Sequence, residues 1–199
     1  WTLVEGIATR LSEIVDTQRL LSRLATGSIN ARDLLFLKKS LIEAVEIFEK
    51  HGVYTKAEME SRAEVMYETY SKTINIEALT MIDMAKKQIV PATIKYQTSL
   101  AESVNAIKAA SSAVDTSVQE ALMADISTNL KDMYVALAHL EEVAGKAEAM
   151  EEGAEQGHYY HDVVFTAMDE LRKPADKLEM LVAKSAWPFP SYGDLIFEV

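Results

Sequence analysis

The chain has 199 residues, 49% of them apolar, a formal net charge of −11 and no cysteine. That is enough apolar content for one packed domain. The acidic surface speaks against nucleic acid or membrane lipid as a partner, and the lack of cysteine excludes disulfides and zinc–thiolate centres. Seven glycines and four prolines favour few, long elements. No uncharged apolar run is long enough to span a bilayer, and no basic-then-apolar leader opens the chain. A start at Trp1, already inside a helical pattern, is expected of a segment of a longer protein, and the absence of cysteine is compatible with a reducing, cytoplasmic compartment.

Apolar residues at Leu3, Ile7, Leu11, Ile14, Leu21 and Leu24 fall on one face of a helix that Gly27 and Ser28 should end. A second stripe follows at Leu34, Leu37, Leu41, Val45 and Phe48. Asn30 is its expected cap, and His51-Gly52 its expected stop. Thr55 and Glu58 stand at capping-box spacing. The helix they open meets no strong breaker before Pro91. Ile74 to Ala85 is apolar on more than one face and should be deeply buried. Pro91 has no N–H to donate and should kink or split this helix; the stripe resumes at Tyr96, Leu100, Val104 and Ile107.

Asp115-Thr116 opens the next helix, with Thr116 and Gln119 at capping-box spacing. Its stripe has the clearest period: Val118, Leu122, Ile126, Leu130, Met133, Leu137, Leu140, Ala144, Ala147. The acidic run from Glu148 to Glu155 should end at Gly153 and Gly157. A last stripe runs Tyr160, Val164, Ala167, Leu171, Leu178, Val182, interrupted by Pro174. Met66, Met81, Met84 and Met133 lie at helical spacing and read as core. No strand pattern precedes residue 187. The expected fold is all-α: an antiparallel bundle of about five helices over residues 1–186, one of them long and proline-kinked.

Residues 187–199 differ in kind. Pro188 and Pro190 push Trp187 and Phe189 into extended geometry. Large apolar side chains gain roughly 1.5–3 kcal/mol each on burial, so this tail should dock. Trp187, Phe189, Tyr192 and Phe197 are its expected anchors.

Catalytic chemistry is not visible. Glu155 and His158 have the Glu-x-x-His spacing of di-iron bundles, but no second copy accompanies them. His158, His161 and Asp162 could share a metal, yet read as surface groups at a helix start. Gly145-Lys146 lacks the rest of a phosphate loop. No catalytic, cofactor-binding or metal-ligating residue is assigned.

Several segments are more specific than composition. They are Lys72 to Ala92, with its run Ile74-Asn75-Ile76-Glu77-Ala78-Leu79, and the tail Trp187-Pro188-Phe189-Pro190-Ser191-Tyr192-Gly193-Asp194. Tyr159 to Val164, Leu171 to Glu179 and Glu49 to Thr55 add to them. Together they resemble the C-terminal helical region of type III glutamine synthetases, the long bacterial form, from about Glu49 to Val199. Residues 1–48 lie outside the resemblance. It implies a homo-oligomeric parent that joins ammonia to glutamate with ATP and divalent metal, all bound upstream. This segment would be a non-catalytic assembly domain touching the catalytic domain and other subunits. The alternative is a free-standing interaction or signalling bundle with no enzymatic parent.

Overall fold

The computed structural model describes residues 17–25, 31–190 and 192–197. The first stripe as far as Ile14, the Gly27-Ser28 stop and the Asn30 cap lie outside them. The described residues are helical and turn, with no strand. The helices are α1 (Thr17–Ala25), α2 (Ala31–Lys50), α3 (Lys56–Met84), α4 (Val90–Ala110), α5 (Ser117–Glu148), α6 (Ala154–Tyr159), α7 (Phe165–Leu181) and α8 (Tyr192–Phe197). Two wide π turns, Ala85–Ile89 and Tyr160–Val164, join α3 to α4 and α6 to α7. Residues 56–110 and 154–181 are therefore helical without a break. The chain divides into two compact units, residues 1–66 and 67–199, and the boundary falls within α3.

In the first unit α1 packs on α2; Leu20 of α1 and Ser40 and Ile47 of α2 are buried. The buried face of α2 is turned from the expected stripe: Leu41 is exposed and Val45 half-buried. The stop is as expected. Gly52 takes φ +66°, its N–H bonds Glu49 O at 3.1 Å, and the Val53 N–H reaches Phe48 O at 2.9 Å. These two bonds form a Schellman motif, whose left-handed residue favours glycine. The Thr55 capping box is also formed. The Thr55 N–H donates to Glu58 Oε2 at 2.7 Å, and the Glu58 N–H donates to Thr55 Oγ1 at 3.2 Å.

The second unit is three long helical spans and a tail. Its most extensive packing pairs α5 with α7, and α4 also lies on α5. Short connections at 111–116 and 149–153 make successive spans antiparallel. The core joins Ile74, Ala78, Ala85 and Ile89 to Ile126, Met133, Leu137 and Leu140, and to Tyr160, Val164, Leu171 and Leu178. The stripes on α5 and α7 are thus buried much as spaced, although Val118 is exposed.

Both π turns sit where the buried stripe steps by four twice running: Ala85, Ile89, Thr93, and Gln156, Tyr160, Val164. An α-helix has 3.6 residues per turn, so two steps of four drift round its axis. A turn closed by an i→i−5 bond takes up the surplus residue. The Val90 N–H bonds Ala85 O and the Phe165 N–H bonds Tyr160 O accordingly. Pro91 follows the first wide turn directly, which admits a residue that cannot donate to the carbonyl four back.

Several expectations are corrected. Pro174 does not interrupt its helix; it lies inside α7. It is buried between Leu171 and Leu178 on the same stripe, so its ring serves as core. Gly157 is not a stop but a buried helical residue facing the Tyr67 ring. Thr116 bonds Glu120 Oε1 at 2.8 Å rather than Gln119, and Asp115 Oδ1 accepts the Ser117 N–H at 2.9 Å. Ile74 to Ala85 is buried on one face only, leaving Ile76 and Leu79 exposed, and Met66 is 75% exposed. Met133 is fully buried, while Met81 and Met84 are half-buried.

Candidate docking site

Past α7 the chain turns at residues 183–186, where the Ala186 and Trp187 N–H groups both bond Ala183 O, at 2.8 and 3.0 Å. This turn aims Trp187 back across the bundle. Pro188 and Pro190 then hold the chain out of helical geometry. Trp187 and Phe189 are half-buried, packed on the core, and meet edge to face at 6.3 Å between ring centroids. With Pro190 and Leu195 they wall a cleft of about 310 Å³, whose other side is Met84, Ile89, Ala175, Asp176 and Glu179. The first π turn contributes Ile89 to this wall. Lys184 pairs with Asp194, tying the turn to α8.

Of the four expected anchors, Trp187 and Phe189 are brought together. Tyr192 and Phe197 begin and end α8, and their side chains lie outside the described residues. The tail is not extended throughout: 187–190 is non-helical, with bends at Pro188 and Phe189, and 192–197 is helical. Leu195 was missed, and so was the apolar pair Leu195 and Ile196, each 66% exposed.

The histidines are spread over the surface. His158 meets the Tyr67 ring at a tilt, 5.7 Å between centroids, and His161 the Tyr70 ring at 6.3 Å. His161 Nδ1 lies 2.7 Å from Asp162 Oδ1, and His139 Nδ1 lies 3.2 Å from Glu170 Oε2, linking α5 to α7. Burial, then the charges of Asp162 and Glu77, raises Tyr70 above the ordinary phenol range. Among the described residues no three His, Asp or Glu side chains converge on a point. No described helix is long and apolar enough to cross a membrane.

A second, polar cleft lies on the other π turn, lined by Ser71 and Asn75 of α3 and by Gln156 and Tyr160. Ser71 Oγ and Asn75 Oδ1 are buried without a hydrogen-bond partner among the described residues. A serine and an asparagine four apart within a helix are the only sequence signal for it.

Residues 33–108 match the family model for the glutamine synthetase C-terminal domain. A glutamine synthetase of Butyrivibrio fibrisolvens is 34% identical over 157 residues, covering 79% of this chain and 22% of that protein. The type-3 glutamine synthetase of Dictyostelium discoideum is 26% identical over 157 residues, 77% of this chain and 21% of its own length. A shorter stretch of 59 residues is 41% identical to the DNA mismatch repair protein MutS of Bacillus velezensis, covering 30% of this chain and 7% of that protein. The chain spans about a fifth of the length of the synthetases it matches. With an all-helical bundle, the family match and the long alignments all in agreement, this chain belongs to the C-terminal region of the glutamine synthetases, the type-3 enzymes included.

Proposed function

We propose that the chain is the non-catalytic structural and assembly domain of a cytoplasmic glutamine synthetase. The parent joins ammonia to glutamate at the expense of ATP, with divalent metal, in a portion outside these residues. This domain contacts that portion and neighbouring subunits of a homo-oligomer. The observation that carries the reading is the tail. Trp187 and Phe189 seat it on the bundle, and Lys184 ties in Asp194. The next element, α8, is thereby held out with Leu195 and Ile196 exposed. Apolar side chains on a pinned element suit burial against another surface.

Deletion of residues 187–199 from the complete enzyme tests this, with light scattering for assembly size and circular dichroism for fold. Smaller assemblies with helix content retained are expected. Unchanged assembly size in a folded deletion variant refutes the docking role. The chain alone, given glutamate, ammonia, ATP and magnesium, is expected to make no glutamine; turnover that survives repurification refutes the non-catalytic reading.

A further inference from the structure

The cleft beside the tail has apolar walls and a one-sided charge. Met84, Ile89, Trp187, Phe189, Pro190 and Leu195 supply the apolar surface, and both ionisable residues that line it are acids, Asp176 and Glu179. Asp176 is exposed and already paired with Arg172, at 3.4 Å. Glu179 is half-buried, and among the described residues its carboxylate has neither an ion pair nor a hydrogen bond. A carboxylate drawn part-way out of water beside large apolar groups gains from a cation brought to it. The two rings favour the same charge, because the face of an indole or a phenyl attracts a cation. Arginine meets both demands at once: its flat guanidinium stacks on a ring and forks onto a carboxylate.

The surface around the cleft is broader than a small free cation needs. Asp176 also borders a second cleft, of about 420 Å³, with Asp125, Asn129, Lys177, Met180 and Leu181. The two clefts therefore flank one ridge of α7. Met180 is 85% exposed on that ridge, and Leu195 stands at the first cleft 66% exposed. Adjoining hollows with bare apolar side chains fit a protein segment. A second copy set face to face would bring Asp176 and Glu179 against their own counterparts, and like charges opposed across an interface are costly. The surface complementary to this one is apolar and basic.

We propose that this face seats an arginine-bearing apolar segment of the parent enzyme, from the portion outside these residues. The guanidinium pairs with Glu179 against the Trp187 and Phe189 rings, and the apolar neighbours of that arginine cover Met180 and Leu195. The proposal rests on the assembly reading above. The probe is the peptide acetyl-Leu-Arg-Leu-amide at millimolar concentration, with the uncharged citrulline peptide of the same shape as control. Both are titrated into the full chain carrying Trp1→Phe, which leaves Trp187 as its one indole. The arginine peptide is expected to shift Trp187 emission and to bind about tenfold or more tightly than the citrulline peptide, the worth of a charge-assisted bond. Glu179→Gln is expected to erase that preference while keeping the helical spectrum. In the complete enzyme, Glu179→Arg is expected to give smaller assemblies by light scattering. Equal binding of the two peptides, unchanged Trp187 emission, or a preference that survives Glu179→Gln overturns the proposal. So does a dimer of the chain alone that Glu179→Gln abolishes, which puts a second copy on this face. If deletion of 187–199 shrinks the assembly and Glu179→Arg does not, this proposal fails and the assembly reading stands; if neither shrinks it, both fail.

Discussion

Replacing Gly157 with alanine adds one methyl group to a helix, and the structure expects it to destabilise the protein. An ideal Cβ at Gly157 falls 2.8 Å from Tyr67 Cδ1, 3.5 Å from Cγ and 3.6 Å from Cβ. The first distance is one real Cβ atoms essentially never show, so the ring must swing aside. That motion disturbs its packing on His158, at 5.7 Å between centroids. Taken alone, a helix-interior Gly→Ala change gains about 1 kcal/mol. Overpacking costs about 1–3 kcal/mol. The expected balance is a loss of about 1 kcal/mol, with the clash term dominant. In a Tyr67→Ala background the clash is gone and only the helix gain remains, so the same change should stabilise by up to about 1 kcal/mol. Urea unfolding of the four proteins in the cycle measures the coupling, expected near 2 kcal/mol. If the two changes add to within about 0.5 kcal/mol, the close approach of Gly157 to Tyr67 does not control stability.

Gly145 is the control, because a Cβ there meets nothing within 4 Å; Gly145→Ala should stabilise by about 0.5–1 kcal/mol in the same assay, and a loss would contradict the open surface. Leu137→Ala and Leu178→Ala remove fully buried side chains and should each lower the unfolding free energy by about 2–5 kcal/mol. Met66→Ala should stay within about 0.5 kcal/mol of the parent; equal losses at all three positions would refute the core assignment. Glu58 is held below the usual carboxylate range, first by the Thr55 N–H and then by its hydroxyl. A lowered folded-state value gives stabilisation that is complete above the unfolded value, about 4.3, and lost as pH falls through the folded one. Protection of the Thr55 amide from hydrogen exchange should therefore fall on acidification below about pH 4, and Glu58→Ala should remove that dependence; protection unchanged to low pH in the parent would refute it.

Helical period was the most legible part of this fold. The stripe from Ile126 to Ala147 and the one from Tyr160 to Val182 are buried much as their spacing requires. The His51-Gly52 stop and the Thr55 capping box are local chemistry, and local chemistry is readable. Misreadings came where tertiary context decides. Pro174 breaks the propensity rule because a core position accepts its apolar ring. At Thr116 two acidic neighbours, Asp115 and Glu120, win over Gln119. Apolar identity at Ile76, Leu79 and Met66 did not reveal that their face is left open. For the docking site, bulk and prolines marked Trp187 and Phe189. No residue pattern announces the helical turn of 192–197, or the long-range meeting of Ser71 and Asn75 with Gln156 and Tyr160.

The two wide turns are where the length of these helices can change by one. Each holds one residue more than a regular turn, so that residue can be lost without altering the phase of the segments on either side. Deleting Lys87 would let residues 85–89 close as an ordinary turn. Thr93 and Val104, both buried, would keep their direction relative to Ile74 and Ala78, and the cost would be the Pro91 ring against the carbonyl four residues back. A residue lost from 160–164 would likewise leave Leu171 and Leu178 on the face of α5. A deletion inside α5, which holds no surplus residue, would instead rotate everything beyond it by about 100° about the helix axis. Single-residue deletions are therefore expected to be mild at the two wide turns and severe elsewhere in the long helices.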